Sequence, residues 1–366
     1  LFKDFGANRD VIPFFSRRIG VAEDLEGNTI ENKIIAGARL SGKLNSNLRL
    51  GFLNILTDAD IKNEIPSNLN TVFTLRQKVF DRSNVSFFFI DRRTMEEYDF
   101  IEDEASKNSV TGIEYNLATS DSKWAGRVFF HKSFTEGLND DDQIVGMRLQ
   151  RNTLRHRVSM EFIHGGEDFR SDLGFFRRTG FVKVSPQYTY SIYPKNPKVN
   201  SYSFSQRSFL FFDPARNYLA TDRVFSNSIR KSFLNTSSLS LDYTNRYVYL
   251  TSSFDPTRSS DGVELPENTG YTYGDLEVNY RSDQRKSFNL DTKVTYGTFY
   301  NGTKFTVENE INWRKQPIVN ASMIVNFNAI ELPKPYASRN LWLVSPKVDF
   351  TFTKTLTWTT FVQYNL

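Results

Sequence analysis

Apolar and polar residues alternate along nearly the whole chain, with a period of two. From Thr303 to Trp313, Phe305, Val307, Ile311 and Trp313 fall on one side; Lys304, Thr306, Glu308, Glu310 and Asn312 fall on the other. Phe288, Leu290, Val294 and Tyr296 oppose Asn289, Asp291, Lys293 and Thr295 in the same way. Leu154, Val158, Met160 and Phe162 likewise oppose Arg155, Arg157, Ser159 and Glu161. A side chain that changes face at every residue marks a β-strand, because successive Cβ atoms point to opposite sides of the pleat. Helical periodicity is scarce. Similar runs recur from Ile34 to Tyr364 and predict roughly 16–18 strands or more, many of about ten residues. A tilted strand needs about that length to cross a bilayer, whereas soluble strands usually have about 5–6 residues.

The connections between these runs are uneven. "LTDADIKNEIPSNLN", "RRTMEEYDFIEDEASKN", "SSFDPTRSSDGVELPENTG" and "LPKPYASRN" are long and polar. "KLNSN", "FDRSN", "LQRNT" and "FYNGT" are short and rich in Asn, Ser, Asp and Gly, the residues that tight turns favour. Tight turns at one end and long loops at the other are the pattern of an outer-membrane barrel. No repeat at a fixed period points to a propeller or solenoid. No linker divides the chain, so residues 1–366 read as one domain. The expected fold is an all-β, transmembrane antiparallel β-barrel.

Composition narrows the classes further. Hydrophobic residues make up 39% and charged residues 24%, which excludes both a disordered chain and a helical membrane protein. No stretch approaches the ~18 apolar residues of a spanning helix. There are 33 Phe and 17 Tyr against 4 Met, a balance that suits strands and membrane interfaces. A net charge of +4 spread over mixed-sign surfaces leaves no nucleic-acid footprint. The absence of cysteine removes disulfides, thiolate zinc sites and Cys nucleophiles together. The N-terminal "LFKDFGANRDVIPFFSRRIG" has neither a leader pattern nor an initiator Met, and reads as the start of a trimmed piece.

Several stretches carry a family resemblance when taken together. They are "PFFSRRIG" (Pro13–Gly20), "AGARLSGK" (Ala36–Lys43), "LRQKVFDRSNVSFFFIDRR" (Leu75–Arg93), "WAGRVFFHKSFTEG" (Trp124–Gly137) and "GGEDFRSDLGFFRRTGF" (Gly165–Phe181). This set resembles the uncharacterised barrel domain, mainly from Bacteroidota, that follows an N-terminal family-nine carbohydrate-binding domain. The resemblance covers the first half well and is pattern-level beyond about Phe212. It implies an outer-membrane location, a link to saccharides, and a preceding domain not contained in these residues. The closing "TWTTFVQYNL" has the character of a mid-barrel strand, so C-terminal strands are expected to be missing too.

One stretch concentrates chemistry. "HGGEDFRSDLGFFRR" (His164–Arg178) brings one His, one Glu and two Asp into nine residues. Glu167 and Asp172, with Asp168 beside them, would be the carboxylates of a glycosidase, which needs two such groups about 5–9.5 Å apart. His164 would be the start of a metal site. The competing reading is a folded polar connection: Gly165–Gly166 turn, Arg170, Arg177 and Arg178 pair with the acids, and Phe169, Phe175 and Phe176 pin the segment. We favour the folded connection. His131 and His156 have no second ligand at i+2 or i+4, so no metal is expected, nor any cofactor. The acidic runs Asn139–Gln143 and Glu96–Glu104 lack the spacing of a calcium loop.

Charged residues at alternate strand positions form a separate class. Arg76, Lys78, Arg92, Arg127, Arg155, Arg157, Glu161, Asp291, Glu308 and Glu310 are expected to face the lumen, since charge on the lipid face costs about 2–4 kcal/mol at mid-bilayer. They either select solutes or cross-pair and fill the interior. The leading functional expectation is a non-enzymatic protein of the cell outer membrane. It would anchor or cooperate with a saccharide-binding domain or other outer-membrane proteins. A glycan hydrolase with loop carboxylates, a solute channel and a soluble all-β binding module are the alternatives.

Overall fold

The computed structural model describes residues 5–6, 10–101, 103–137, 140–259 and 262–365. Among the described residues the chain is all-β apart from a four-residue helix, Asp103–Ser106, and three short 3-10 turns. Nineteen strands belong to one large antiparallel sheet. Its residues gather into two compact units, Leu1–Asn152 with Ser159–Val184 and Phe212–Leu219, and Thr153–Val158 with Ser185–Phe211 and Ala220–Leu366.

In the first unit seven strands follow one another as a meander: β1 (Ile34–Lys43), β2 (Leu48–Thr57), β3 (Asn68–Val79), β4 (Ser83–Thr94), β5 (Lys107–Ala118), β6 (Trp124–Thr135) and β7 (Gln143–Asn152). Each pairs with the next, antiparallel. The two faces differ sharply. Ile113, Val128, Phe130, Val145, Met147 and Leu149 are exposed. Their neighbours in sequence, Glu114, Phe129, His131 and Ile144, are buried. We call these the apolar face and the polar face, because the second also carries Asn70, Thr74, Ser86, Asn108 and Ser133, all buried.

Close strand pairing on the polar face depends on two glycines. Gly112 lies opposite His131, and a Cβ there would sit 2.4 Å from the Phe88 ring. Gly146 lies opposite Phe129, and a Cβ there would sit 2.1 Å from that ring. Both glycines make room for an aromatic ring from the adjacent strand. Gly146→Val should therefore destabilise the protein by about 1–3 kcal/mol, the usual effect of overpacking. Gly42→Val is the control, since a Cβ there meets nothing within 4 Å. A urea titration of both variants checks the difference; equal midpoints would refute the packing account.

Strands β8 (His156–Gly165), β9 (Phe181–Ile192), β10 (Val199–Asp213) and β11 (Leu219–Phe233) come next in the chain. The second unit continues with β12 (Ser238–Leu250), β13 (Thr269–Arg281), β14 (Phe288–Phe299), β15 (Gly302–Lys315), β16 (Val319–Glu331), β17 (Arg339–Thr351), β18 (Thr357–Phe361) and β19 (Tyr364–Asn365). Neighbours again pair in chain order from β11 to β18. β18 and β19 are one interrupted strand, because both pair with β17. The interruption falls opposite Pro346, whose carbonyl accepts from Val362 N–H and which has no N–H to give back. The same two faces recur: Leu276, Val278, Tyr280, Phe288 and Tyr296 are exposed, while Ser240, Thr244 and Asn289 are buried.

One turn departs from expectation. In a meander successive connections alternate between the two ends of the sheet. Residues 234–237, 282–287, 316–318 and 352–356 therefore share one end of the second unit, and 251–268, 300–301 and 332–338 share the other. The tight turn of "FYNGT" thus belongs to the end with the long loops. The long connection 251–268 packs against it. Tyr300, at a positive φ of 51°, packs with its ring centre 5.9 Å from that of Phe254, 5.5 Å from Tyr271, which it meets edge-on, and 5.1 Å from Tyr273. In the first unit the alternation holds as expected, with 44–47, 80–82 and 119–123 short, and 58–67, 95–106 and 136–142 longer.

Candidate functional site

The segment before β1 lies against the polar face of the first unit. Phe5, Val11 and Phe14 on it are buried. Its deepest anchor is Glu114 on β5, whose side chain is fully buried. Gly6 N–H donates to Glu114 Oε1 at 2.6 Å, and His131 Nε2 lies 2.9 Å from the same oxygen. Arg127 completes the group: it donates to Asn116 Oδ1 at 2.8 Å, reaches the Gly6 carbonyl, and stands 3.7 Å from Glu114 Oε2. Phe5 packs 4.8 Å from Phe88, and the Arg76 guanidinium lies over its ring at 6.0 Å. Further along the segment, Asp10 takes one bond from Lys183 at 2.5 Å, and Glu161 takes another at 2.7 Å.

His164–Arg178 is the second element of the site. Phe175–Phe176 pairs as a two-residue strand with Val11–Ile12. Phe15 N–H donates to the Leu173 carbonyl at 2.6 Å, and Ser171 Oγ donates to the Pro13 carbonyl at 3.0 Å. Phe169 and Leu173 are buried, with Phe169 edge-on to Phe176 at 5.1 Å. Asp172 fixes the middle of the stretch. Its Oδ2 accepts from Arg92 Nε at 2.7 Å, and its Oδ1 accepts from Arg170 Nε at 2.7 Å. Its own backbone N–H donates to Asn108 Oδ1 at 3.0 Å. The segment is thus a folded connection stitched to the strands on one side and to the N-terminal segment on the other.

Above this carboxylate a cavity of about 590 Å³ opens. Arg92, Arg170, Asp172, Asn68 and Asn70 form its inner part; Arg18, Glu23 and Glu64, all exposed, stand at its rim. Glu167 is not among its lining residues; its backbone N–H donates to Asp141 Oδ2 at 3.1 Å. Asp172 and Glu167 therefore do not share this cavity, and both oxygens of Asp172 are occupied by guanidinium donors. His164 contacts one carboxylate, Asp141 Oδ1, at 3.3 Å.

The alternating charges take several positions. Arg76, Arg92, Arg127 and Glu161 lie on the polar face, each with a partner named above or, for Arg76, with Ser86 Oγ at 3.2 Å. Asp291 pairs with Arg281 at 2.8 Å and Glu308 with Lys293 at 2.7 Å, while Glu310 accepts from Asn312 at 3.1 Å. Lys78 is exposed next to the last residue of β3, and Arg157 is exposed at the start of β8. Arg155 is not on a strand: it sits in the turn closed by Thr153 N–H on the His156 carbonyl, before β8 begins. His156 is stacked on Tyr188, with Nδ1 2.9 Å from its hydroxyl. Of the acidic runs, Asn139 and Glu102 lie outside the described residues.

The pair that pattern reading missed is Glu114–His131. Period two places each on the polar face, but the two are 17 residues apart and join only through the β5–β6 register. His131 Nδ1 and Glu114 Oε2 have no hydrogen-bond partner among the described residues.

These features define a class: an antiparallel all-β protein whose exposed face is apolar and whose charged face, in the first unit, carries the segment that precedes β1. The chain belongs to the family described as domain of unknown function DUF5916, which it matches over residues 11–334. The match continues well past Phe212, beyond the half in which the sequence motifs are recognisable. No curated protein and no solved structure matched the chain.

Proposed function

We propose that this chain is a non-enzymatic outer-membrane protein whose sheet closes as a transmembrane β-barrel, serving a saccharide-handling partner or domain at the membrane. One observation carries the reading: the exposed strand face is the apolar one. Leu276, Val278, Tyr280, Phe288, Tyr296 and Trp313 would face water in a soluble sheet, whereas Asp291, Lys293 and Glu308 pair on the opposite side. Lipid is the solvent that favours this arrangement, because charge turned toward it at mid-bilayer costs about 2–4 kcal/mol. Strands of 12–14 residues in β13–β17 are long enough to span when tilted. The N-terminal segment supports a filled interior rather than a freely open pore. The saccharide link rests on the family resemblance alone.

Site-directed spin labels test it. Labels at 288, 290, 294, 305, 307 and 311 should be relaxed by a lipid-soluble agent, and labels at 291 and 308 by a water-soluble one. Equal access at the two sets would refute the barrel.

A further inference from the structure

We infer that the polar face of β14–β17, at the end that carries the turns 282–287 and 316–318, holds a binding site for a small, uncharged molecule rich in hydroxyl groups. A cavity of about 360 Å³ opens there, lined mainly by amide side chains. That volume is at the small end of the range that holds ligands. Strand register builds the lining as two rows. Asn289 on β14 lies opposite Asn312 on β15, which lies opposite Ser322 on β16. Two residues further along the strands, about 7 Å away, Arg314 lies opposite Asn320, and Asn320 opposite Asp349 on β17. Gln284 and Gln316 join them from the two turns.

Asn289 is the most buried of these residues, only 3% exposed. Its amide nitrogen donates to the Lys286 carbonyl at 3.3 Å, which fixes the side chain and leaves Oδ1 without a protein donor among the described residues. Asn312 is fixed in the same manner, its nitrogen donating to Glu310 Oε1 at 3.1 Å. Two carbonyl oxygens are thus held in place before any ligand arrives, which lowers the ordering cost of binding. Gln316, Asn320 and Ser322 make no side-chain hydrogen bond among the described residues. Charge does not select the ligand. Arg314 turns one terminal nitrogen to the Gln284 and Lys286 carbonyls; Asp349 is held by Lys347 at 3.0 Å and by the Thr359 hydroxyl at 2.7 Å. With one cation and one anion in the lining, a charged ligand would lose hydration and gain no excess of counter-charge. A hydroxyl donates and accepts at one atom, so a molecule bearing several can meet amide oxygens and amide N–H groups in any order along the rows. A ligand amide offers those groups only in fixed, opposed directions.

Every lining residue belongs to one compact unit, so the site stands whether or not the sheet closes as a barrel. Calorimetric titration of the full chain tests it. The neutral probes are glucose, galactose, mannose and sorbitol; the charged ones are glucuronate and protonated glucosamine; N-acetylglycinamide is the neutral amide. At least one neutral polyol should bind at one site, about tenfold or more tighter than the charged probes and the amide. Asn320→Ala, at an exposed position, should weaken it by about two- to tenfold, the worth of one neutral hydrogen bond. Asn289→Ala should weaken it at least as much. Asn326→Ala, on the same face but outside the cavity, should leave it unchanged. Circular dichroism reports the fold of each variant; if Asn289→Ala does not fold, Asn320→Ala decides alone. No binding by any neutral polyol, a charged probe or the amide binding as tightly, or parental affinity in Asn320→Ala would overturn the site.

Discussion

Glu114→Ala is expected to lower stability by about 3–5 kcal/mol, the usual effect of removing one partner from a buried ionic group. Glu114 has no solvent exposure; Gly6 N–H and His131 Nε2 both meet its Oε1, and the Arg127 guanidinium stands 3.7 Å from its Oε2. Alanine leaves the Gly6 amide and the His131 ring without an acceptor, in a place where water does not reach the ring. Gln is the informative second variant. It keeps the size and one acceptor oxygen but removes the charge opposite Arg127, so its loss should be smaller than that of alanine. Two measurements check this. Urea or heat unfolding in detergent gives the stability, and limited proteolysis reports the segment Phe5–Arg18, which should become cleavable in Glu114→Ala before the strands do. A variant as stable and as protease-resistant as the parent would mean that Glu114 does not hold the N-terminal segment.

Asp172→Asn should be nearly as severe, at about 3 kcal/mol, while Glu167→Gln should change stability by less than about 0.5 kcal/mol. The difference lies in what each carboxylate touches. Asp172 takes a charged bond from both Arg92 and Arg170 in a half-enclosed setting, and asparagine there removes the charge that both bonds use. Glu167 is exposed. A glycan hydrolase using this pair would behave in the reverse way, with both variants well folded and activity down by about 10²–10⁴-fold. Gel migration before and after heating, run beside a glycan-release assay on the same two proteins, separates the readings. Normal migration with abolished release would establish the enzyme.

Strand identity and the facing of side chains were legible from the chain alone, because both depend on local alternation. Phe288, Leu290 and Val294 could be assigned to one face, and Asp291 and Lys293 to the other, without knowing what lies beside β14. The Arg170–Asp172 pair was also legible, since residues at i and i+2 share a face of an extended chain. Proline and glycine positions were only partly so. The interruption between β18 and β19 opposite Pro346 was not legible, because it needs the partner strand to be known.

The site was decided by register and by long-range closure. Arg92 is 80 residues from Asp172, and Gly6 is 108 from Glu114. Nothing in a local window distinguishes those partners from any other charge on the polar face. His131 looked isolated because its acceptor sits on the neighbouring strand, and a slip of one residue in the β5–β6 pairing would have turned the two to opposite faces. The N-terminal segment, which lacks a long alternating run, gave no sign that Phe5 and Val11 would be among the most buried residues. Alternation is encoded residue by residue, so composition and period establish the elements and their two faces. Which charges meet across those faces depends on hydrogen-bonded register and on the path of the segment packed against them, and only the folded chain specifies both.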